Sequence, residues 1–108
     1  MTHSVLRFSL KPGVRDEFVQ TFRELEVLAV SSALPGFRNG QLHLDVEDPD
    51  SAMVIAAWDS PEAYQGWLDS PAREAIGDRL EPFWAQPPEG RVVTLVQEVG
   101  PGPGVSAR

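Results

Sequence analysis

Met53-Val54-Ile55-Ala56-Ala57-Trp58-Asp59-Ser60-Pro61-Glu62-Ala63-Tyr64-Gln65-Gly66-Trp67 carries a strand and the start of a helix in one continuous run. Its first part, Met53 to Trp58, is apolar without alternation and too short for an isolated helix, which suits a central strand covered on both faces. Ser60 then supplies an N-cap oxygen, and Pro61 brings the fixed φ of a first helical position. Ala63, Trp67 and Leu68 point inward from that helix. Ser70-Pro71 repeats the start signal, so the helix is broken into Pro61 to Asp69 and a second piece from Pro71 to about Leu80 that buries Ala72, Ile76 and Leu80. Pro82 ends it, and Pro87-Pro88 marks a loop.

Toward the N-terminus, Ser4 to Leu10 alternates, with Leu6, Phe8 and Leu10 on one face and Val5, Arg7 and Ser9 on the other, the pattern of a first strand. Pro12-Gly13 breaks it. From Val14 the apolar residues Phe18, Phe22, Leu25 and Ala29 recur at helical spacing, predicting an amphipathic helix to about Ser32. Leu34-Pro35-Gly36-Phe37 is a turn, and Gln41 to Val46 alternates as a half-buried strand closed by Glu47-Asp48-Pro49-Asp50. Arg91 to Val99 supplies a last strand with apolar residues on both faces. The order β-α-β-β-α-β predicts a ferredoxin-like α+β sandwich, a four-stranded antiparallel sheet with its helices on one face. Residues 1–99 are expected to form this one domain and 100–108 a flexible tail. Because the strands carry apolar residues on both faces, a homodimer pairing two sheets across a two-fold axis is expected.

The chain has 108 residues, 42% hydrophobic and 23% charged, which fits one packed domain. Sixteen acidic against nine basic residues give a net charge of −7, so neither nucleic acid nor an anionic membrane is an expected partner. No run suits a membrane helix and the N-terminus lacks the layout of a secretory signal, which predicts a soluble, cytoplasmic protein. The absence of cysteine excludes disulfides, thiolate nucleophiles and iron–sulfur ligation. His3 and His43 are too few for a three-histidine metal site. The dinucleotide fingerprint, phosphate loop, zincin helix and hydrolase nucleophile elbow are all missing, so neither metal nor cofactor is expected.

The run from Trp58 to Trp67, preceded by Pro35-Gly36-Phe37 and followed by Ser70-Pro71, resembles the antibiotic biosynthesis monooxygenase family of dimeric α+β barrel proteins over roughly residues 4–99. Members of that family include cofactor-free oxygenases that convert polyketide phenols to quinones, haem-degrading oxygenases, quinol monooxygenases and proteins of no known activity. The quinone-forming members work with an Asn and a Trp on one strand and a Tyr on the following helix. Trp58 and Tyr64 match, and Val54 stands at the Asn position. In haem-degrading members a His on the second helix ligates iron, but here Gly77 stands there and Leu6 falls near their first-strand Asn, so haem is not expected. The resemblance implies a cofactor-independent monooxygenase using O2 to oxidise a small polycyclic phenol to a quinone in specialised metabolism. A non-oxidative polyketide cyclase or isomerase and a non-catalytic binding protein are the alternatives on the same fold.

Period two places Val54, Ala56 and Trp58 on one strand face, which the family fold aims at the helices and a ligand cavity. Trp58 there either stacks on a planar aromatic substrate or braces strand against helix. Tyr64 either hydrogen-bonds a substrate oxygen or packs with its hydroxyl toward solvent. Trp67, on the same helical face, is either pocket wall or core. His43 is either the base that deprotonates a phenol or an exposed strand histidine beside Gln41 and Asp45. Arg7 either binds a phenolate or carboxylate or forms an ion pair in a dimer interface. Phe83 and Trp84 either lid the cavity or close the core. The resulting expectation is catalytic roles for Trp58 and His43, and substrate contacts for Tyr64, Trp67, Arg7, Val54 and Phe83.

Overall fold

The computed structural model describes residues 1–102, and the part of the expected tail at 103–108 lies outside the described residues. The elements run β1 (Thr2–Ser9), α1 (Arg15–Glu24), α2 (Val27–Ser31), β2 (Phe37–Leu44), β3 (Ser51–Trp58), α3 (Pro61–Leu68), α4 (Pro71–Leu80), a 3-10 turn (Glu81–Phe83) and β4 (Glu89–Thr94). The strands form one antiparallel sheet in the order β2-β3-β1-β4. This is the ferredoxin-like α+β fold expected from the sequence.

Strand alternation divides the sheet into two faces. Leu6 and Phe8 of β1, Leu42 of β2 and Ala52 and Val54 of β3 face the helices and pack with Phe18 and Phe22 of α1, Val27 of α2 and Leu80 of α4. The Phe8 and Phe18 rings meet at 5.0 Å between centroids, and burying each contributes about 1.5–3 kcal/mol. A second cluster joins Ala56 and Trp58 to Tyr64 of α3. On the other face, Val5, Arg7, His43, Met53 and Ile55 have no helix over them among the described residues.

Local signals set the second half of the fold. Ser60 Oγ accepts from the Ala63 N–H and Ser70 Oγ from the Arg73 N–H, both at 3.2 Å, with a proline opening each helix. Each cap is worth about 1 kcal/mol. The Pro35-Gly36-Phe37 turn docks on the first turn of α3. Gly36 has φ +84°, a Cβ there would lie 2.6 Å from Ala63 Cβ, and its carbonyl accepts from the Asp59 N–H at 2.8 Å. Glycine is needed at this position for both conformation and space.

Four sequence expectations change. The single helix from Val14 to Ser32 is two helices, because Glu26 adopts the left-handed conformation (φ 51°, ψ 44°) and resets the helical phase. Val27 and Ser31 are thereby buried and Ala29 is exposed, exchanging a small apolar surface for a larger one. The strand expected at Gln41 to Val46 begins at Phe37 and ends at Leu44, since β3 offers it partners from Trp58 to Ala52. Ala72 is exposed, because α4 reaches the core at its Leu80 end while its first turn stands off the sheet. Finally, β4 spans Glu89–Thr94 instead of Arg91 to Val99. Its ladder with β1 ends at the Thr2–Thr94 pair, beyond which only the Leu95 N–H bonds to the Met1 carbonyl.

Candidate functional site

Where α4 stands off the sheet, a cavity of about 390 Å³ remains. Leu6, Phe8 and Val54 form its floor on the sheet, and Phe22 and Val27 reach it from α1 and α2. Trp67, Ile76, Leu80 and Trp84 close its sides. The charged groups are gathered at one side, on and just past α4: Arg73, Glu74, Asp78 and Glu81. Gly77 also lines the cavity, and a Cβ on it would meet nothing within 4 Å, so the helix leaves space where a side chain would otherwise fill it. Apolar walls with a few polar groups on one side are the usual composition of a small-molecule site, and the volume falls within the range of about 300–1,000 Å³ of such sites.

Of the seven residues expected to form the site, Val54 and Trp67 line this cavity. Trp58 does not. It is 1% exposed, its Nε1–H donates to Ser4 Oγ at 3.1 Å, and its ring lies edge-on to Phe37 at 5.2 Å and tilted to Tyr64 at 5.7 Å. Tyr64 is buried beside it, outside the cavity lining. That burial pushes the Tyr64 phenol above its ordinary pKa, an effect the Arg73 charge partly offsets, so the hydroxyl holds its proton at neutral pH. Phe83 packs edge-on against Phe18 at 6.0 Å, on the core side.

His43 and Arg7 are separated from the cavity by the sheet itself. His43 pairs across the strands with Met53 and Arg7 with the same residue, whereas Leu42 and Leu6 pair with Val54, and period two sends the two sets to opposite faces. His43 Nε2 lies 2.8 Å from Gln41 Oε1, and with Arg7, Asp45 and Met53 it borders a groove on the helix-free face. The structure thus brings Val54 and Trp67 together and leaves the expected base and anion anchor elsewhere.

Sequence reading missed the α4 contribution and did not fix the place of Trp84. Trp84 lines the cavity, stacks tilted on Phe8 at 6.3 Å, and carries a buried Nε1 with no hydrogen-bond partner among the described residues. An orphaned buried donor of this kind costs about 1–3 kcal/mol. The usable signal was Gly77, a glycine in a helix interior next to the inward residue Ile76, which marks a face that is not packed solid. Among the described residues no group of three or more His, Cys, Asp or Glu could hold a metal ion, and no helix is long and apolar enough to cross a membrane.

A four-stranded sheet with helices on one face and a lined cavity between the layers defines a small α+β protein of the ferredoxin-like class. The chain belongs to the antibiotic biosynthesis monooxygenase family, whose sequence model matches residues 1–79. No curated protein matches it. Among solved structures it is similar to SnoaB, a cofactor-independent oxygenase from Streptomyces nogalater crystallised as a point mutant, with a TM-score of 0.77, 23% identity, and coverage of 91% of this chain and 95% of that one. A protein of Nitrosomonas europaea aligns with a TM-score of 0.78 at 15% identity, over 90% of this chain and 100% of that one. Rv0793 from Mycobacterium tuberculosis aligns with a TM-score of 0.76 at 16% identity, over 92% and 98%. At these identities the likeness is one of fold.

Proposed function

We propose that the protein is a cofactor-independent oxygenase that binds a small polycyclic phenol in the cavity beneath α4 and oxidises it to a quinone. The cavity carries this reading: apolar floor and aromatic sides to hold a flat hydrophobic body, with charged groups confined to one side where an oxygen substituent would lie. Family membership and the likeness to a cofactor-independent oxygenase support it. A deprotonated electron-rich phenol can pass an electron to O2, and bonding of the oxygen to a ring carbon gives a peroxide that loses water. One atom of O2 ends in the new carbonyl and the other leaves as water with two hydrogens from the substrate. The protein's part is to orient the ring, favour the phenolate and keep bulk water from the peroxide. With His43 across the sheet, the base in this reading is one of the α4-side carboxylates Glu74, Asp78 or Glu81, and Arg73 offers positive charge to the phenolate.

One observation favours a second reading. Val54 puts an apolar side chain in the cavity where the resemblance implies Asn, which suits a non-oxidative closure of a poly-β-ketone in the same space. Oxygen uptake with a hydroxylated anthrone or naphthol, compared with product formation from a poly-β-ketone under argon, separates the two. Gly77→Leu is the matching variant. Replacing a helix-interior glycine favours α4 by up to about 1 kcal/mol, while the new side chain fills the cavity. Thermal stability at or above wild type with turnover reduced about tenfold or more is expected. Undiminished turnover in that variant would place the reaction outside this cavity.

A further inference from the structure

Trp84 lines the cavity, and its indole N–H, buried in this structure, is a hydrogen-bond donor that no group of the described protein uses. Its backbone is fixed on three sides. Its own N–H bonds to the Glu81 carbonyl at 3.0 Å, the Lys11 N–H to the Phe83 carbonyl at 2.9 Å, and the Ala85 N–H to the Ser9 carbonyl at 2.8 Å. The residue borders both the cavity and an outer cleft of about 620 Å³ that Lys11, Pro82 and Ala85 also line.

We propose that on ligand binding the Trp84 ring turns about its side-chain bonds and its indole N–H becomes a specificity-determining donor to a carbonyl or phenolate oxygen on a fused-ring ligand in the cavity. This rests on the cavity being the ligand site, and not on oxygen chemistry. Trp67 also lines the cavity, but only the Trp84 N–H is both sealed from solvent and unpaired among the described residues. The unliganded protein gives this donor no partner, so a ligand oxygen supplies one and a ligand without an acceptor leaves the donor orphaned. The device discriminates by the presence of an acceptor, not by ring size.

The test compares naphthoquinone, which carries acceptors and no donor, with naphthalene, which carries neither, by calorimetric titration of the full chain. Wild type should bind naphthoquinone about five- to tenfold more tightly than naphthalene. Trp84→Phe should lose the preference and bind the two probes about equally, whatever the loss of wall area does to the affinity for both. In isotope-labelled wild-type protein, the Trp84 indole proton should shift on adding naphthoquinone and not on adding naphthalene, a readout that does not depend on how the variant folds. Equal affinities in wild type, a preference surviving in Trp84→Phe, or an indole proton indifferent to naphthoquinone would each overturn the role of Trp84 while leaving the cavity as the ligand site. Failure of both probes to bind wild type would overturn the cavity reading and the Trp84 role with it.

Discussion

Three tryptophans stand near the helix–sheet layer, and the surroundings of the indole nitrogen assign them different work. Trp58 has its N–H paired with Ser4 and its ring enclosed by Phe37 and Tyr64, so it contributes to stability. Trp67 and Trp84 contribute walls to the cavity. Trp58→Phe removes aromatic area and the donor to Ser4, an expected loss of about 1–3 kcal/mol. Naphthalene affinity and turnover per folded molecule should stay near wild type. Thermal unfolding measured beside calorimetry and oxygen uptake checks this, and a stable Trp58→Phe protein with turnover reduced about tenfold would return to Trp58 the catalytic part that the family resemblance implies.

Between elements, the hairpin joining β2 and β3 is fastened to the start of α1. Arg15 Nη1 donates to the carbonyls of Asp45 and Asp48 at 2.9 Å and of Ser51 at 3.1 Å, and the Gly13 N–H donates to Asp50 Oδ1 at 3.1 Å. Within the turn, Asp45 Oδ1 accepts from the backbone N–H groups of Glu47 and Asp48, both at 2.8 Å. Those bonds, that to Asp48 foremost, favour the charged carboxylate and hold its pKa below the ordinary value. The stabilisation is thus present above the ordinary aspartate pKa and is lost as pH falls through the lower folded value. Asp45→Asn keeps an acceptor oxygen and removes the charge, so urea unfolding should show a small loss at neutral pH and a flatter decline below about pH 4. An acid decline as steep as wild type would assign the pH dependence to other carboxylates. The same contrast between local and distant causes explains what the sequence could reveal. The starts of α3 and α4 were legible because Ser60, Pro61, Ser70 and Pro71 act on their own turns. The break at Glu26 and the end of β4 were not, since one depends on which side chains the core accepts and the other on where β1 stops pairing. Val54 and Trp67 were legible as inward residues from periodicity. The cavity was not, because it is the space α4 leaves by standing off the sheet, and His43 and Arg7 are placed by interstrand register.

For the whole molecule, the helix-free sheet face raises a question that one copy of the chain cannot answer. Val5 of β1 and Met53 and Ile55 of β3 lie half-buried there, Val93 of β4 is 45% exposed, and Arg7, Arg91 and His43 border them. An apolar centre with a charged rim is the composition of a protein interface, and we propose a second copy of the chain as its occupant. Net charge works against it, since each chain carries −7 and two must approach closely. Added salt screens that repulsion while leaving apolar burial in place, so the dimer should tighten as ionic strength rises toward physiological values. Ile55 is the place to test the contact, because it sits in a central strand between Val5 and Gln41 and faces away from the helices. Ile55→Lys adds a charge that two-fold symmetry would bury twice, which should shift sedimentation from dimer to monomer with the far-ultraviolet circular dichroism unchanged. A wild-type monomer at micromolar concentration would remove the dimer altogether. A folded Ile55→Lys dimer would move the contact off this face, toward the exposed Val96 and Val99 beyond β4.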